Sequence, residues 1–193
     1  MFVSEDTGLP NRAAFKKDLD VEHKAGHAKV FCYIAVHGLQ RGKDLSRITY
    51  TEAENVICTY AQHMSTAACR LQNGEPVDGK VNQAEVAAAS RSMRKCTAYH
   101  LGGDRFALMC VKKDDVTVES FQGELELLAT HLASLEESVV QAGSSGECLL
   151  PTLLRIGVAT SLVEAERLEM LVRSNADIRK CVSKLVHVCK CAS

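Results

Sequence analysis

The densest chemistry in the sequence is Gly102-Gly103-Asp104-Arg105, a polar turn set between the apolar runs 98–101 and 106–111. A carboxylate such as Asp104 can ligate a hard cation or move a proton, whereas the guanidinium beside it binds anions and neutralises that same carboxylate. Glycine supplies the positive φ that a tight turn demands, and its missing Cβ lets another molecule approach the backbone. Taken alone, the stretch is also what an ordinary hairpin tip looks like. Two other groups have metal-ligand character. Cys189 and Cys191 flank Lys190 and could hold a soft metal, but a structural zinc site takes four ligands and the chain has no Cys-x-x-Cys pair to complete one. His23 and His27 sit four apart without an acidic third ligand, and read as a solvated helix end and loop.

The elements around the turn follow from periodicity. In 106–111, Phe106, Leu108 and Cys110 fall on one face and Ala107, Met109 and Val111 on the other, which predicts a central strand buried on both sides. Lys29–Val36 is a second such strand, broken by His37-Gly38, and Leu149–Ala159 a third, with Gly157 inside it marking a bulge or a close backbone approach. Asn11 is a good N-cap for a first helix whose inward side is Ala14, Phe15, Leu19 and His23, ending near Gly26. A second helix runs from about Thr51, as N-cap with Glu54 three residues on, to Leu71, with Val56, Ile57, Tyr60, Met64 and Ala67 as its stripe. Val118–Val139 repeats apolar residues in steps of three and four, as a helix packing on a sheet or a coiled-coil seam; Gly123, Thr130 and Ser134 favour the sheet. Leu162–Ser174 is a further helix, and Ile178–Val188 a last helix or strand. Residues 72–95 form an exposed excursion with one short helix and a basic end at Arg91, Arg94 and Lys95. These elements predict an α+β or α/β layer with at least four strands of mixed order and helices on one side.

The totals bound the function. At 193 residues the chain is expected to form a single domain, 1–193, with an insertion at about 72–95. A formal net charge of −1 lacks the basic footprint of a nucleic-acid binder, so no nucleic-acid partner is expected. No apolar run is long enough to span a bilayer and the first residues lack a signal-peptide layout, which predicts a cytoplasmic protein. The nine cysteines, an odd number, suit free thiols in a reducing compartment better than a disulfide framework.

Several segments occur in an informative order: Thr7-Gly8-Leu9-Pro10-Asn11-Arg12 followed by Phe15, the strand ending Ile34–His37, Gly102-Gly103-Asp104-Arg105-Phe106, Arg155-Ile156-Gly157-Val158-Ala159, and Asn175-Ala176-Asp177 leading to Lys184. Over essentially the whole chain this order resembles the GGDEF domain of diguanylate cyclases. The resemblance implies an α+β fold like the class III nucleotide-cyclase and polymerase-palm (ferredoxin-like) core, a central mixed sheet with helices packed around it. It also implies a chemistry in which two GTP molecules are joined into cyclic di-GMP across a homodimer, with a divalent metal on carboxylates assisting attack on the α-phosphorus.

The resemblance assigns one metal carboxylate to the end of the first strand and another to the third residue of the hairpin motif, and it puts Ala35 and Asp104 there. The fourth motif residue, acidic in active members, is Arg105. Guanine-reading Asn and Asp fall on Lys43 and Glu52, a phosphate-facing lysine is kept as Lys184, and a later arginine falls on Val188. The product-inhibition Arg-x-x-Asp is replaced by Met93-Arg94-Lys95-Cys96, and the leading Asp of the opening motif is Ser4. Fold-making residues are thus retained while most reaction-making ones are lost. The expectation is a degenerate GGDEF domain without cyclase activity, acting as a nucleotide-binding regulatory or protein-interaction module. Gly102, Gly103, Lys43, Glu52 and Lys184 would contact GTP or cyclic di-GMP, Asp104 would be a vestigial metal ligand, Mg²⁺ would enter only with nucleotide, and a protein partner or homodimer is expected. One alternative is an active diguanylate cyclase with a rearranged metal site, which needs a substitute carboxylate such as Asp44 or Glu52. Another is a structural subunit of a larger assembly.

Overall fold

The structure, a computed structural model, describes residues 2–37, 50–73, 90–126 and 153–174. In chain order these hold helix α1 (Arg12–Lys24), strand β1 (Lys29–His37), helix α2 (Tyr50–Asn73), strands β2 (Met93–Gly102), β3 (Arg105–Lys112) and β4 (Leu153–Ala159), and helix α3 (Leu162–Ser174). Residues 118–126 are also helical. Lys43, Asp44, Lys184, Val188, Cys189 and Cys191 lie outside the described residues, as do 127–139 of the long amphipathic stretch and most of the insertion.

The strands form one sheet in the order β2-β3-β1-β4. Every pairing of these four strands is antiparallel. The expected mixed character is confined, among the described residues, to an isolated parallel bridge between Asn11 and His100. The two strands with continuous apolar runs, β1 and β3, are the inner ones, because only inner strands can bury both faces. On one face Cys32, Ile34, Phe106, Leu108 and Cys110 pack against Tyr60, Met64 and Leu71 of α2 and against Phe121 and Leu125. On the other, Phe31, Tyr33, Ala35, Ala107 and Met109 pack against Phe15 of α1 and Ala165 and Leu168 of α3. Helices therefore cover both faces and not one, as a sheet apolar on both sides requires. The burial of Phe121 and Leu125 supports sheet packing over a coiled-coil seam for the described part of that helix.

Local signals explain the boundaries. Asn11 caps α1, its Oδ1 accepting from the amides of Ala13 at 3.0 Å and Ala14 at 3.1 Å. Tyr50 is already helical, which moves Thr51 and Glu54 from a capping box into the helix. Gly157 sits in unbroken register opposite Tyr33, so there is no bulge on that ladder.

Three polar positions differ from expectation. At the end of α1 the buried residue is Glu22, while His23 is exposed. His27 is not a solvated loop residue: its Nδ1 meets Glu22 Oε2 at 2.7 Å and its Nε2 meets Arg94 Nη1 at 2.8 Å. Met93, Arg94 and Lys95 begin β2 while Arg91 lies in the helical residues 90–92, so two of the three basic residues belong to a strand and not to a helix face. Met93 and Cys96 of that stretch are core residues, and Cys96 Sγ lies 3.2 Å from Cys110 Sγ. That sulfur contact, then burial, holds the Cys110 thiol well above its ordinary pKa, which keeps it neutral and inert.

Candidate functional site

The signature turn is held from three sides. Gly102 pairs with Arg105, so Gly103 and Asp104 form a two-residue hairpin loop, and Gly103 takes φ +59°. The amide of Val36 donates to the Asp104 carbonyl at 2.8 Å, tying the turn to β1. Leu101 is an extra residue between the His100–Phe106 and Gly102–Arg105 pairs, a bulge that sets His100 over the turn.

His100 is buried and bonded through both ring nitrogens. Nε2 lies 3.0 Å from the Gly103 carbonyl and Nδ1 2.7 Å from Ser4 Oγ. A carbonyl only accepts, so Nε2 carries the hydrogen, and in the neutral ring Nδ1 accepts from the serine hydroxyl. The ring stacks on Phe106 with centroids 5.0 Å apart. The backbone amide of His100 also donates to the Pro10 carbonyl at 2.9 Å. The Thr-Gly-Leu-Pro-Asn opening is thereby docked on the signature turn, two stretches that lie some ninety residues apart in the chain. Sequence reasoning marked Ser4 only as a missing acid; the histidine that answers it carries no local signal.

The first-strand position to which the resemblance assigns a metal carboxylate is brought against the hairpin motif. Ala35 is directly opposite Arg105 across β1–β3, and directly opposite Arg155 across β1–β4. The row therefore reads Arg105–Ala35–Arg155 on the face that carries α3. Arg105 lies 3.9 Å from Asp104 Oδ1 through Nε and 3.8 Å from Glu166 Oε1 through Nη1. Glu166, on α3, also accepts from the Tyr33 hydroxyl at 3.2 Å. Glu166, Tyr33 and Arg155 are site residues that sequence reasoning missed. Only the period of α3 and the pairing register could have suggested them, and neither shows in a linear motif.

This donor set does not fit a hard divalent cation. Such an ion seeks several oxygen ligands, and the first-strand position offers a methyl group. The carboxylates of Asp104 and Glu166 are separated by the guanidinium that pairs with both, which repels the ion and competes for its ligands. Among the described residues no group of three or more His, Cys, Asp or Glu could hold a metal. Of the expected nucleotide contacts, Gly102 and Gly103 are at the turn, and Glu52 lies near the start of the described α2. No described helix is long and apolar enough to cross a membrane.

No family model matches the sequence, and no curated protein matches it. Solved structures do match in shape. The diguanylate cyclase SiaD of Pseudomonas aeruginosa, solved with its activator SiaC, aligns with 89% of this chain at 14% identity and a TM-score of 0.56, this chain spanning 58% of SiaD's length. A sensory box/GGDEF family protein from Caulobacter crescentus aligns over 90% of this chain and 98% of its own, at 15% identity and a TM-score of 0.56. The GGDEF domain of DgcB from the same organism, solved in complex with c-di-GMP, aligns over 89% of this chain and 87% of its own, at 14% identity and a TM-score of 0.55. With its antiparallel sheet, its helices on both faces and its hairpin at Gly102–Arg105, this chain has the fold of the GGDEF domain.

Proposed function

We propose that this chain is a degenerate GGDEF domain that binds a guanine nucleotide as a regulatory or protein-interaction module and does not make cyclic di-GMP. The observation that carries the reading is the pairing of Ala35 with Arg105. Metal-assisted attack on a phosphate needs carboxylates to hold the ion, and a methyl group facing a guanidinium cannot do so. The retained parts support binding. The turn glycines leave open space where a Cβ would stand, so a ligand can come against the backbone there. Lys43, Glu52 and Lys184 are the side chains assigned to the base and phosphates. A protein partner is part of the proposal, in keeping with the activator bound to the SiaD neighbour.

The test is a product assay joined to a binding titration. Purified protein is incubated with GTP and Mg²⁺ or Mn²⁺ and the products are separated by chromatography, while GTP and cyclic di-GMP are titrated by calorimetry on the same sample. Binding without cyclic di-GMP formation is the expected result. Turnover of GTP to cyclic di-GMP, or an absence of binding by both ligands, would overturn it.

A further inference from the structure

We infer that the row Arg105–Ala35–Arg155 is a phosphate site that works without a divalent metal, with the Arg105 guanidinium supplying the counter-charge to a guanine nucleotide's phosphates. This rests on the nucleotide-binding reading above and goes beyond it by naming what replaces the ion.

The geometry starts from register. Residues directly opposite in an antiparallel ladder project to the same face, so two arginine side chains flank one alanine on adjacent strands. Neighbouring strands lie about 4.8 Å apart, which sets the two arginine backbones roughly 10 Å from each other across Ala35. Ala35 adds only a methyl group to the space between them. The row lies at the strand ends that carry the signature turn, beside Gly102 and Gly103, where the backbone is open.

Arg105 has donors to give. Its carboxylate neighbours stand at 3.9 and 3.8 Å, beyond the 2.7–3.2 Å range of a hydrogen bond, and its side chain is 55% exposed. Long, solvent-exposed ion pairs contribute little to stability, so a phosphate can displace them at small cost. The guanidinium fork matches two phosphate oxygens at once, a geometry that a lysine cannot reproduce. Asp104 and Glu166 each lie within 4 Å of the fork, beside the turn. The same cation excludes Mg²⁺ from the place where carboxylates would otherwise gather it, so Arg105 together with Ala35 exchanges a metal site for an anion site.

The experiment is calorimetric titration of GTP, and of inorganic tripolyphosphate as a base-free probe, into the whole chain in EDTA and in Mg²⁺. Wild type is expected to bind GTP with the same affinity within about twofold in both buffers, with tripolyphosphate competing. Arg105→Ala is expected to weaken binding in EDTA by roughly tenfold or more, since hydrogen bonds between charged partners are the strong ones. Arg105→Lys should restore only part of that loss. Arg105→Glu should abolish metal-free binding. Melting temperatures of all variants without ligand show whether each is folded, and this exposed position should tolerate each change. GTP binding that requires Mg²⁺, or that is unmoved by Arg105→Ala, overturns the inference and leaves the nucleotide-binding reading standing. No GTP binding in either buffer overturns the inference, and the nucleotide-binding reading falls with it if cyclic di-GMP also fails to bind.

Discussion

Ala35 and Arg105 face one another across the β1–β3 ladder, a methyl group opposite a guanidinium, at two positions that the sequence resemblance gives to acids. Two carboxylates remain nearby, Asp104 and Glu166, and the arginine stands between them. On the reading proposed above, the charge at position 105 decides which ions the site accepts.

Replacing that charge should be readable as stability. Arg105→Glu gathers three acids at one place, and like-charge repulsion of up to about 1 kcal/mol corresponds to a fall of roughly 2–4 °C in melting temperature for a chain of this size. Millimolar Mn²⁺ should restore most of the fall in the variant and leave wild type unmoved. A thermal melt with and without Mn²⁺ checks this, and equal stabilisation of both proteins would show that the native site already holds the ion.

Phe106 is fully buried at the base of the hairpin and stacks on His100. Truncation to alanine empties a ring-sized space between β3 and α2 and is expected to cost about 3–5 kcal/mol in urea unfolding. A loss below about 1 kcal/mol would mean that the hairpin packs differently.

The Ser4–His100 bond anchors the opening segment. Ser4→Ala leaves buried Nδ1 without its donor, at a cost of about 1–3 kcal/mol. Hydrogen exchange should quicken at the Gly8 and Asn11 amides, which bond to the Ser4 and Phe2 carbonyls, while β1 amides keep their protection. Uniform loss of protection across the sheet would instead indicate global destabilisation.

Glu22 predicts a pH dependence. The hydrogen bond from His27 holds its carboxyl below the ordinary 4.5, with Lys95 adding to the effect against the opposing pull of burial. A carboxyl with a depressed folded-state pKa binds fewer protons in the folded chain than in the unfolded one. Its contribution is thus fully present above about pH 5 and is lost as pH falls through the folded value. Glu22→Gln should be less stable than wild type at pH 7, with a smaller gap in acid, at about pH 3. Urea titrations at the two pH values decide it; a gap that persists undiminished in acid assigns the effect to packing.

The elements set by local pattern were legible in the residues. The continuous apolar runs of β1 and β3, the Asn11 cap and the bounds of α3 were read correctly because each depends on neighbours within a few positions. The signature turn was legible too, as a two-residue hairpin tip closed by Gly102 and Arg105. Helices on one side was the wrong expectation, although strands apolar on both faces already implied cover on both.

What only the tertiary structure decided is everything that needs two distant segments in register. The pairing of Ala35 with both Arg105 and Arg155, the approach of Glu166 to Tyr33 and Arg105, and the Ser4–His100–Gly103 chain join residues up to 133 positions apart. Sequence determined which side chains are present and which local elements carry them. Strand register and helix docking determined which side chains share a face, because a shift of one residue would send each arginine to the opposite side of the sheet.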